Sequence, residues 1–202
     1  MLARLSRLDL RKQIVVFYFL KDFIKDPVGI GAISESSAAL AREMIDDLPI
    51  TPGDPVVELG PGTGVFTRQI HEKTGTYLGI ERNPRFTRLL DQRFPDLTFV
   101  NGLAEDGFEL YSGMGLPPPK VIVCGLPLAI WARDLQDCVI DEIDNLMTSG
   151  CIFRTFQYAH SFGFPLAIRF RRKMNALLGP CQRSRIVLRN LPPAFILTWF
   201  RE

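Results

Sequence analysis

Two acidic residues and a glycine-rich loop carry most of the chemistry that the sequence offers. Residues 56–64 read Val-Val-Glu-Leu-Gly-Pro-Gly-Thr-Gly, so Glu58 lies near the end of an apolar run and the loop follows at once. Glu81 ends the next apolar run, about one strand-turn-helix further along. Glycines let the backbone approach a ligand closely, and an acid at the end of the second strand can accept hydrogen bonds from both ribose hydroxyls. The spacing predicts a nucleoside site on a Rossmann-like sheet.

The loop does not fit a dinucleotide. The pattern G-x-G-x-x-G would need glycine at Val65 if it began at Gly60, or at Thr67 if it began at Gly62. The pattern present is E-x-G-x-G-x-G, which resembles motif I of the class I S-adenosylmethionine (SAM) methyltransferases. This resemblance implies SAM as the cofactor, S-adenosylhomocysteine as its product, and no metal.

The same resemblance implies roles around the cofactor. Glu58 would accept a hydrogen bond from the methionine ammonium, directly or through water, and Glu81 would hold the ribose. The adenine would lie against the turn after the third strand, where many family members have an acid in place of Leu103. The expected cofactor-binding residues are Ile33, Glu58, Gly60, Pro61, Gly62, Thr63, Gly64, Glu81, Arg82, Leu103, Ala104 and Gly125.

The composition is that of a folded, globular chain. The 202 residues are 47% hydrophobic and 23% charged, enough apolar material for one domain with a full core. The four cysteines are far apart and form no C-x-x-C pair, so we expect neither disulfides nor a zinc site, and a reducing cytoplasm. No apolar run approaches the roughly 18–20 residues that cross a bilayer.

Charge is distributed unevenly along the chain. The net charge is +3 in residues 1–30, −9 in residues 31–150 and +8 in residues 151–202, which gives +2 for the whole chain. Basic ends around an acidic middle predict a face that meets an anionic partner, either nucleic acid or anionic lipid. The alternative is that the arginines are scattered over the fold and share no face.

The N-terminus predicts an amphipathic helix. Residues 2–25 place Leu5, Leu8 and Phe19 on an apolar stripe and several Lys and Arg residues on the polar side. This composition is typical of a helix that lies in a membrane interface, although the apolar stripe could instead pack on the fold. We therefore divide the chain into a membrane-interfacial helix at 1–25 and a methyltransferase domain at 26–202.

Strand and helix patterns alternate through the rest of the chain. This alternation predicts an α/β, Rossmann-like class I methyltransferase fold, with a mostly parallel seven-stranded sheet and an antiparallel terminal hairpin. A helix from Ser34 or Ser36 to about residue 45 precedes the sheet. The predicted strands are 55–59, 77–81, 97–100, 120–124, 151–158, 185–189 and 194–200, and the predicted helices lie at about 64–73, 84–93, 131–147 and 165–177.

A turn after the fourth strand bears on the methyl acceptor. Residues 125–128 read Gly-Leu-Pro-Leu and resemble the N-L-P-Y/F turn of the adenine N6-dimethyltransferases, with Gly125 for the asparagine and Leu128 for the aromatic residue. Stacking a nucleobase on that ring contributes about 1–3 kcal/mol, so its loss argues against a base as acceptor. The G-L-P-L turn, together with residues 26–33, resembles the bacterial phospholipid N-methyltransferases, which are related to the ribosomal RNA dimethylases.

That second resemblance implies successive N-methylation of phosphatidylethanolamine toward phosphatidylcholine, at an anionic membrane surface. The enzyme would be cytoplasmic and peripheral on the inner face of the cell membrane, and nucleic acid would not be its partner. The backbone carbonyls of Gly125 and Leu126, with Tyr158, would hold the amine, and His160 is a candidate base. The cations expected near the lipid phosphate are Arg154, Arg169, Arg171, Arg172 and Lys173.

Three other interpretations stay open. The chain could methylate ribosomal RNA adenines, which would explain the dimethylase-like turn and the basic ends. It could act on another amino-lipid, such as ornithine lipid. It could also bind SAM at a membrane without any activity.

Overall fold

A seven-stranded sheet organises the chain. The computed structural model describes residues 35–202. The strands are β1 (Val56–Leu59), β2 (Tyr77–Glu81), β3 (Thr98–Asn101), β4 (Val121–Cys124), β5 (Ile152–Tyr158), β6 (Gln182–Arg183) and β7 (Ala194–Phe200). Their order is β3-β2-β1-β4-β5-β7-β6; the first five are parallel, and β7 runs antiparallel to both β5 and β6. This topology confirms the predicted class I methyltransferase fold.

Helices cover both faces of the sheet. They are α1 (Glu35–Ile45), α2 (Val65–His71), α3 (Pro84–Arg93), α4 (Gly107–Ser112), α5 (Arg133–Leu146) and α6 (Pro165–Leu178). Short 3₁₀ turns lie at Ala104–Asp106, Leu128–Ile130 and Ala159–Ser161. The start of α3 is the predicted one: Pro84 is its first residue, and the Asn83 side chain accepts a 3.0 Å hydrogen bond from the Arg85 amide.

The core has two layers because the central strands are buried on both faces. Val57, Leu59 and Phe153 pack on the side of α4, α5 and α6. Val56 and Val121 pack on the opposite side with α1 and α2. Strands of this kind are near-continuous apolar runs, so a polar side chain within one of them has a structural or a chemical role.

The terminal hairpin differs from its prediction. The antiparallel pair is present, but the strand expected at 185–189 is wrong: β6 is only Gln182–Arg183. Within 185–189 a single isolated bridge joins Val187 to Ala194. Pro192 and Pro193 lack an amide hydrogen, so the chain before β7 cannot continue a hydrogen-bonded ladder.

The proposed N-terminal helix at 1–25 and the boundary at residue 26 lie outside the described residues and stay predictions. In residues 35–202, no helix is long and apolar enough to cross a membrane.

Arg154 does not lie where a lipid phosphate was expected. Its guanidinium points under α1, donating to the Met44 carbonyl (3.2 Å) and the Thr198 hydroxyl (3.0 Å), and it forms an ion pair with Asp47. The pKa of Asp47 is lowered chiefly by this hydrogen bond. Arg154 therefore connects α1 to β5 and β7, and its expected lipid contact is wrong.

Two other cations of that set have internal partners. Arg169 and Lys173 both pair with Asp137, which lies on α5. These ion pairs join α6 to α5, and a contact of the two cations with lipid phosphate stays a prediction.

We predict that Arg154→Met destabilises the fold by about 1–3 kcal/mol, because it leaves the buried Met44 carbonyl without its donor. Asp47→Ala should change the free energy of unfolding by less, since the Asp47 side chain is 71% exposed and that of Arg154 only 9%. Urea unfolding checks both, with Arg172→Met on the exposed face of α6 as a control. Equal losses for Arg154→Met and Arg172→Met would contradict this role.

Candidate active site

The predicted site residues come together at one edge of the sheet. In the strand register Leu59 lies beside both Ile80 and Cys124, and Glu81 lies beside Asn101. The loops that follow β1, β2, β3 and β4 therefore emerge side by side. Ligands of open α/β sheets bind at this carboxyl edge.

The loop after β1 has the backbone of a ligand cradle. Gly60, Gly62 and Gly64 have φ angles of +74°, +60° and +86°, a region that favours glycine. A Cβ on Gly64 would lie 2.8 Å from the Phe94 ring, so this glycine allows α2 to pack on α3. A Cβ on Gly62 would meet nothing within 4 Å, so the middle of the loop faces open space.

The loop also touches the ends of β2 and β4. The Gly60 amide donates to the Ile80 carbonyl (3.0 Å), and the Gly125 amide donates to the Leu59 carbonyl (2.9 Å). A Cβ on Gly125 would lie only 2.8 Å from the Gly60 carbonyl oxygen. Glycine at position 125 therefore lets the loop at residues 60–64 approach the turn at residues 125–128. We call them the cofactor loop and the acceptor turn, after their expected roles.

Glu81 holds this arrangement with both carboxylate oxygens. Oε2 accepts from the Gly62 amide (3.0 Å) and Oε1 from the Asn83 amide (2.8 Å). Each oxygen has a further lone pair, so the oriented carboxylate can still accept hydroxyl donors. The Asn101 side chain adds a 2.9 Å hydrogen bond to the Glu81 carbonyl, which ties in the turn after β3.

Glu58 is fully buried beneath α2. Its Oε2 accepts from the Tyr77 hydroxyl (2.7 Å) and the Thr67 hydroxyl (2.8 Å). Burial raises the pKa of Glu58 to about 7, while these two hydrogen bonds act in the opposite direction and the charge of Glu81 adds a smaller rise. Among the described residues, its Oε1 is buried and has no hydrogen-bond partner.

The remaining cofactor candidates surround this centre. Leu103 is exposed in the turn after β3, and Ala104, which follows it, is buried. Pro61 is buried, and the Thr63 carbonyl accepts a 2.9 Å hydrogen bond from Arg93. Arg82 is exposed. Ile33 lies outside the described residues, and all these assignments stay predictions.

These residues fit SAM on structural grounds. An open glycine cradle beside an oriented carboxylate suits a ribose, and the orphaned Glu58 oxygen suits a cationic group, because a nearby positive charge favours the ionised carboxyl. We expect Glu58 and the loop to face the methionine part, Glu81 the ribose, and the turn at Leu103 the adenine. No cluster of metal-ligating side chains occurs within residues 35–202.

The acceptor turn is fixed by residues from other elements. Leu128 is buried in the core, and the buried side chain of Gln136 donates to its carbonyl (2.7 Å). The Thr155 hydroxyl donates to the Cys124 carbonyl (3.0 Å), which holds the end of β4 against β5. The Cys124 side chain itself is buried, and burial raises the pKa of this thiol to about 12.

A series of aromatic side chains extends along this edge. Ring centroids are separated by 6.0 Å between Phe66 and Phe156, 5.3 Å between Phe156 and Tyr158, and 5.7 Å between Tyr158 and His160. Phe66 is also next to the acceptor turn, because a Cβ on Gly125 would lie 3.6 Å from its ring. The series therefore leads from the Gly125 turn to the end of β5.

Tyr158 and His160 are the predicted acceptor residues at the end of this series. Their rings are stacked, with an interplanar angle of 12°. Burial raises the pKa of Tyr158 and lowers the pKa of His160 below its usual value. Near pH 7 the phenol is therefore a neutral hydroxyl, and the imidazole favours its neutral, proton-accepting form. Their roles in catalysis stay predictions.

Comparison with known proteins identifies the family. The ribosomal RNA adenine dimethylase family matches residues 35–107. The ornithine lipid N-methyltransferase of Singulisphaera acidiphila is 32% identical over 184 residues, which cover 88% of this chain and 92% of that protein. The chain belongs to the SAM-dependent methyltransferases related to the ribosomal RNA adenine dimethylases. It is a SAM-dependent N-methyltransferase.

Other similarities of this methyltransferase are shorter or more distant. Ribosomal RNA small subunit methyltransferase A of Chlorobium phaeobacteroides is 29% identical over 63 residues, 31% of this chain and 23% of that protein. Magnesium protoporphyrin IX methyltransferase of Synechocystis PCC 6803 superposes with a TM-score of 0.63 at 13% identity, covering 95% of this chain and 97% of that one. A 23S rRNA methyltransferase superposes with a TM-score of 0.55 at 19% identity, covering 85% and 69%. These two structures support the fold alone.

Several residues that support the site do not stand out in the sequence. Thr67 and Tyr77 hold Glu58, Gln136 holds the acceptor turn, and Phe66 and Phe156 extend the aromatic series. A usable signal for Thr67 and Gln136 is helical spacing, because each lies three residues before a buried apolar residue of its helix, Ile70 and Val139 respectively. Nothing in the local pattern pairs the two phenylalanines, because they come from elements that are distant along the chain.

We predict that Glu81→Gln weakens SAM binding by at least about tenfold. The amide cannot accept from Gly62 and Asn83 at once while also accepting from a ribose, and hydrogen bonds to charged groups contribute about 1.5–3 kcal/mol each. Calorimetric titration with SAM measures the loss, with Glu72→Gln at the exposed end of α2 as the control. An unchanged affinity in a folded Glu81→Gln variant would contradict the assignment.

We predict that Glu58 makes stability depend on pH in the weakly acidic range. Its folded-state pKa is raised from 4.5 to about 7, so its stabilising contribution is complete below pH 4.5 and is lost as pH rises through about 7. The wild type should therefore lose stability relative to Glu58→Gln between about pH 5 and pH 8, by an amount on the order of a few kcal/mol. Chemical unfolding of both proteins across this range gives the difference. Parallel stability curves would rule out a raised pKa.

Proposed function

We propose that this chain transfers methyl groups from SAM to the primary amine of an amino-lipid head group. The observation that carries the proposal is the burial of Leu128. In the adenine N6-dimethyltransferase pattern this position presents an aromatic ring to a base, whereas here an aliphatic side chain faces the core. The relative named as an ornithine lipid N-methyltransferase, similar over most of both chains, supports the same class of acceptor.

Methyl transfer requires little of the protein beyond alignment of the reacting atoms. SAM supplies a methyl group that is already a good electrophile. The protein must hold the amine nitrogen in line with the methyl carbon and sulfur and favour its unprotonated form. A partly apolar pocket lowers the pKa of an amine, because desolvation disfavours the cation.

The acceptor turn offers groups that can hold such an amine. The carbonyls of Gly125 and Leu126 lie at the edge where the cofactor loop and β4 meet, and Tyr158 ends β5, the strand next to β4. We propose that these groups accept hydrogen bonds from the amine and that His160, whose lowered pKa favours the neutral form, receives its proton.

The aromatic series can bind a head group that carries a permanent positive charge once it is fully methylated. Each methyl group replaces an N–H hydrogen that could be donated in a hydrogen bond, and a fully methylated ammonium has no N–H left. Aromatic faces can still bind it by cation–π attraction, worth about 0.5–2 kcal/mol. Phe66 lies beside the Gly125 turn, and Phe156 and Tyr158 continue the aromatic series from it.

Two amino-lipids are the substrates to distinguish. Phosphatidylethanolamine, methylated toward phosphatidylcholine, is the substrate implied by the G-L-P-L turn. Ornithine lipid is the substrate in the name of the long, 32% identical relative, and this similarity favours it. Both present a primary amine at a bilayer surface, so both require a cytoplasmic enzyme to bind peripherally to the membrane.

The test uses purified full-length protein, SAM with a labelled methyl group, and three acceptors in separate reactions: vesicles with phosphatidylethanolamine, vesicles with ornithine lipid, and total RNA. We expect label in lipid and none in RNA. Chromatography of the lipid products then counts the methyl groups. Label in RNA alone would overturn the proposal in favour of a nucleic-acid methyltransferase.

Two variants complete this experiment. Glu81→Ala, expected to lose SAM, sets the background for all three acceptors. Tyr158→Ala should keep its SAM affinity and reduce kcat/KM for the lipid by at least about tenfold, because it removes both a hydrogen bond and an aromatic face. Unchanged kcat/KM in Tyr158→Ala would remove this residue from the acceptor site.

A further inference from the structure

The loop between β6 and β7 carries the most exposed large apolar side chains of the described chain. Leu188 is 68% exposed, Leu191 77% and Ile186 38%. Single exposed leucines are common on protein surfaces, but three in six residues form a patch. We call residues 185–191 the apolar loop.

The backbone of the apolar loop is held in place although its tips are exposed. Val187 is buried and exchanges hydrogen bonds with Ala194 in both directions (2.8 and 3.4 Å). Asn190 is also buried, and its side chain donates to the Pro192 carbonyl (2.7 Å). Inward-facing Val187 and Asn190 thus fix the outward direction of Ile186, Leu188 and Leu191.

Charge favours one kind of partner for this loop. Arg185 and Arg189 flank Leu188, both are exposed, and within residues 35–202 neither side chain has a hydrogen bond or ion pair. Residues 182–193 contain three arginines and no acid. Apolar tips between arginines match a bilayer surface, in which leucines enter the acyl boundary and arginines meet anionic head groups.

The loop also lies at the edge where the acceptor must arrive. Ala194, the first residue of β7, pairs with Tyr158, the last residue of β5. The Ala159 amide donates to the Pro193 carbonyl (2.8 Å), which ties the end of the loop to the segment that carries His160. A membrane in contact with the loop would therefore face the acceptor side of the site.

We propose that the apolar loop is a membrane-docking element that inserts Leu188 and its apolar neighbours into an anionic bilayer. Docking turns the carboxyl edge of the sheet toward the head groups, so that an amine can reach the Gly125 turn while its acyl chains stay in the bilayer. The inference rests on the proposed amino-lipid function, and it adds a second contact to the one predicted for the N-terminal helix.

The test measures binding of the full chain to vesicles of phosphatidylethanolamine and phosphatidylglycerol, without SAM, by co-sedimentation. Leu188→Ser should weaken partitioning by about tenfold, and Arg185→Gln with Arg189→Gln should weaken it only when phosphatidylglycerol is present. Leu177→Ser is the matched control. Leu177 is 42% exposed near the end of α6. Asn175 on that helix accepts a hydrogen bond from Trp199 of β7, which pairs with Phe153 at the end of β5 opposite to Tyr158.

Tryptophan fluorescence distinguishes insertion of the apolar loop into the bilayer from vesicle binding by another part of the protein. Leu188→Trp should shift its emission to shorter wavelength when these vesicles are added, and Leu177→Trp should not. No shift for Leu188→Trp on vesicles that the protein binds would overturn the proposal, as would equal binding by Leu188→Ser and the wild type, or no binding by the wild type. A shift caused by a soluble protein instead of vesicles would point to a protein partner and also overturn it.

Activity assays keep this inference distinct from the proposed function. Methylation of a short-chain, monomeric amino-lipid should be unchanged in Leu188→Ser, because the loop does not form the methyl-transfer centre. If the wild type binds vesicles through the loop and methylates no lipid, the amino-lipid function fails while the docking surface stands. If lipid is methylated and Leu188→Ser behaves as wild type on vesicles, the docking surface fails alone.

Discussion

The backbone of the loop after β1 is in direct contact with the backbone of the turn after β4, and the rest of the site is arranged around this contact. The Gly60 carbonyl and the Gly125 Cα come so close that a methyl group at position 125 would collide with the oxygen. This contact places the turn that follows β4 directly beside the loop that follows β1. It also gives a steric reason for the departure from the dimethylase pattern: an asparagine side chain at 125 would force the two loops apart.

Two carboxylates near this contact, Glu81 and Glu58, have different hydrogen-bond partners. Glu81 has both oxygens engaged by backbone amides, which orients a charged group at the surface of the cradle. Glu58 is closed off beneath α2, with one oxygen satisfied and one not. The first is ready to bind as it stands, whereas the ionisation of the second depends on what charge arrives nearby. Two acids that look equivalent along the chain therefore differ in environment, because backbone amides engage both oxygens of Glu81 and two hydroxyls engage a single oxygen of Glu58.

Much of the fold could be predicted from local sequence patterns, whereas less of the site could. The apolar runs and the glycines predicted five parallel strands and most helix limits to within a few residues. The segment 185–189 has strand-like residues, yet Asn190 and the two prolines divert it, so composition alone placed the strand incorrectly. Arg154 shows the same limit: whether an arginine is on the surface or under a helix depends on Asp47 and Thr198, which are remote in sequence. The aromatic series from Phe66 to His160 likewise exists only once β5 and α2 lie together.

Cys124 bears on the chemistry of this site because of its position at the end of β4. Cys124 directly precedes the Gly125 turn, and a thiolate there would be a stronger nucleophile than an amine. Burial keeps it as a thiol at any physiological pH, since its pKa is raised to about 12. The strand end that precedes the Gly125 turn therefore presents a buried thiol, and not a thiolate, to its surroundings.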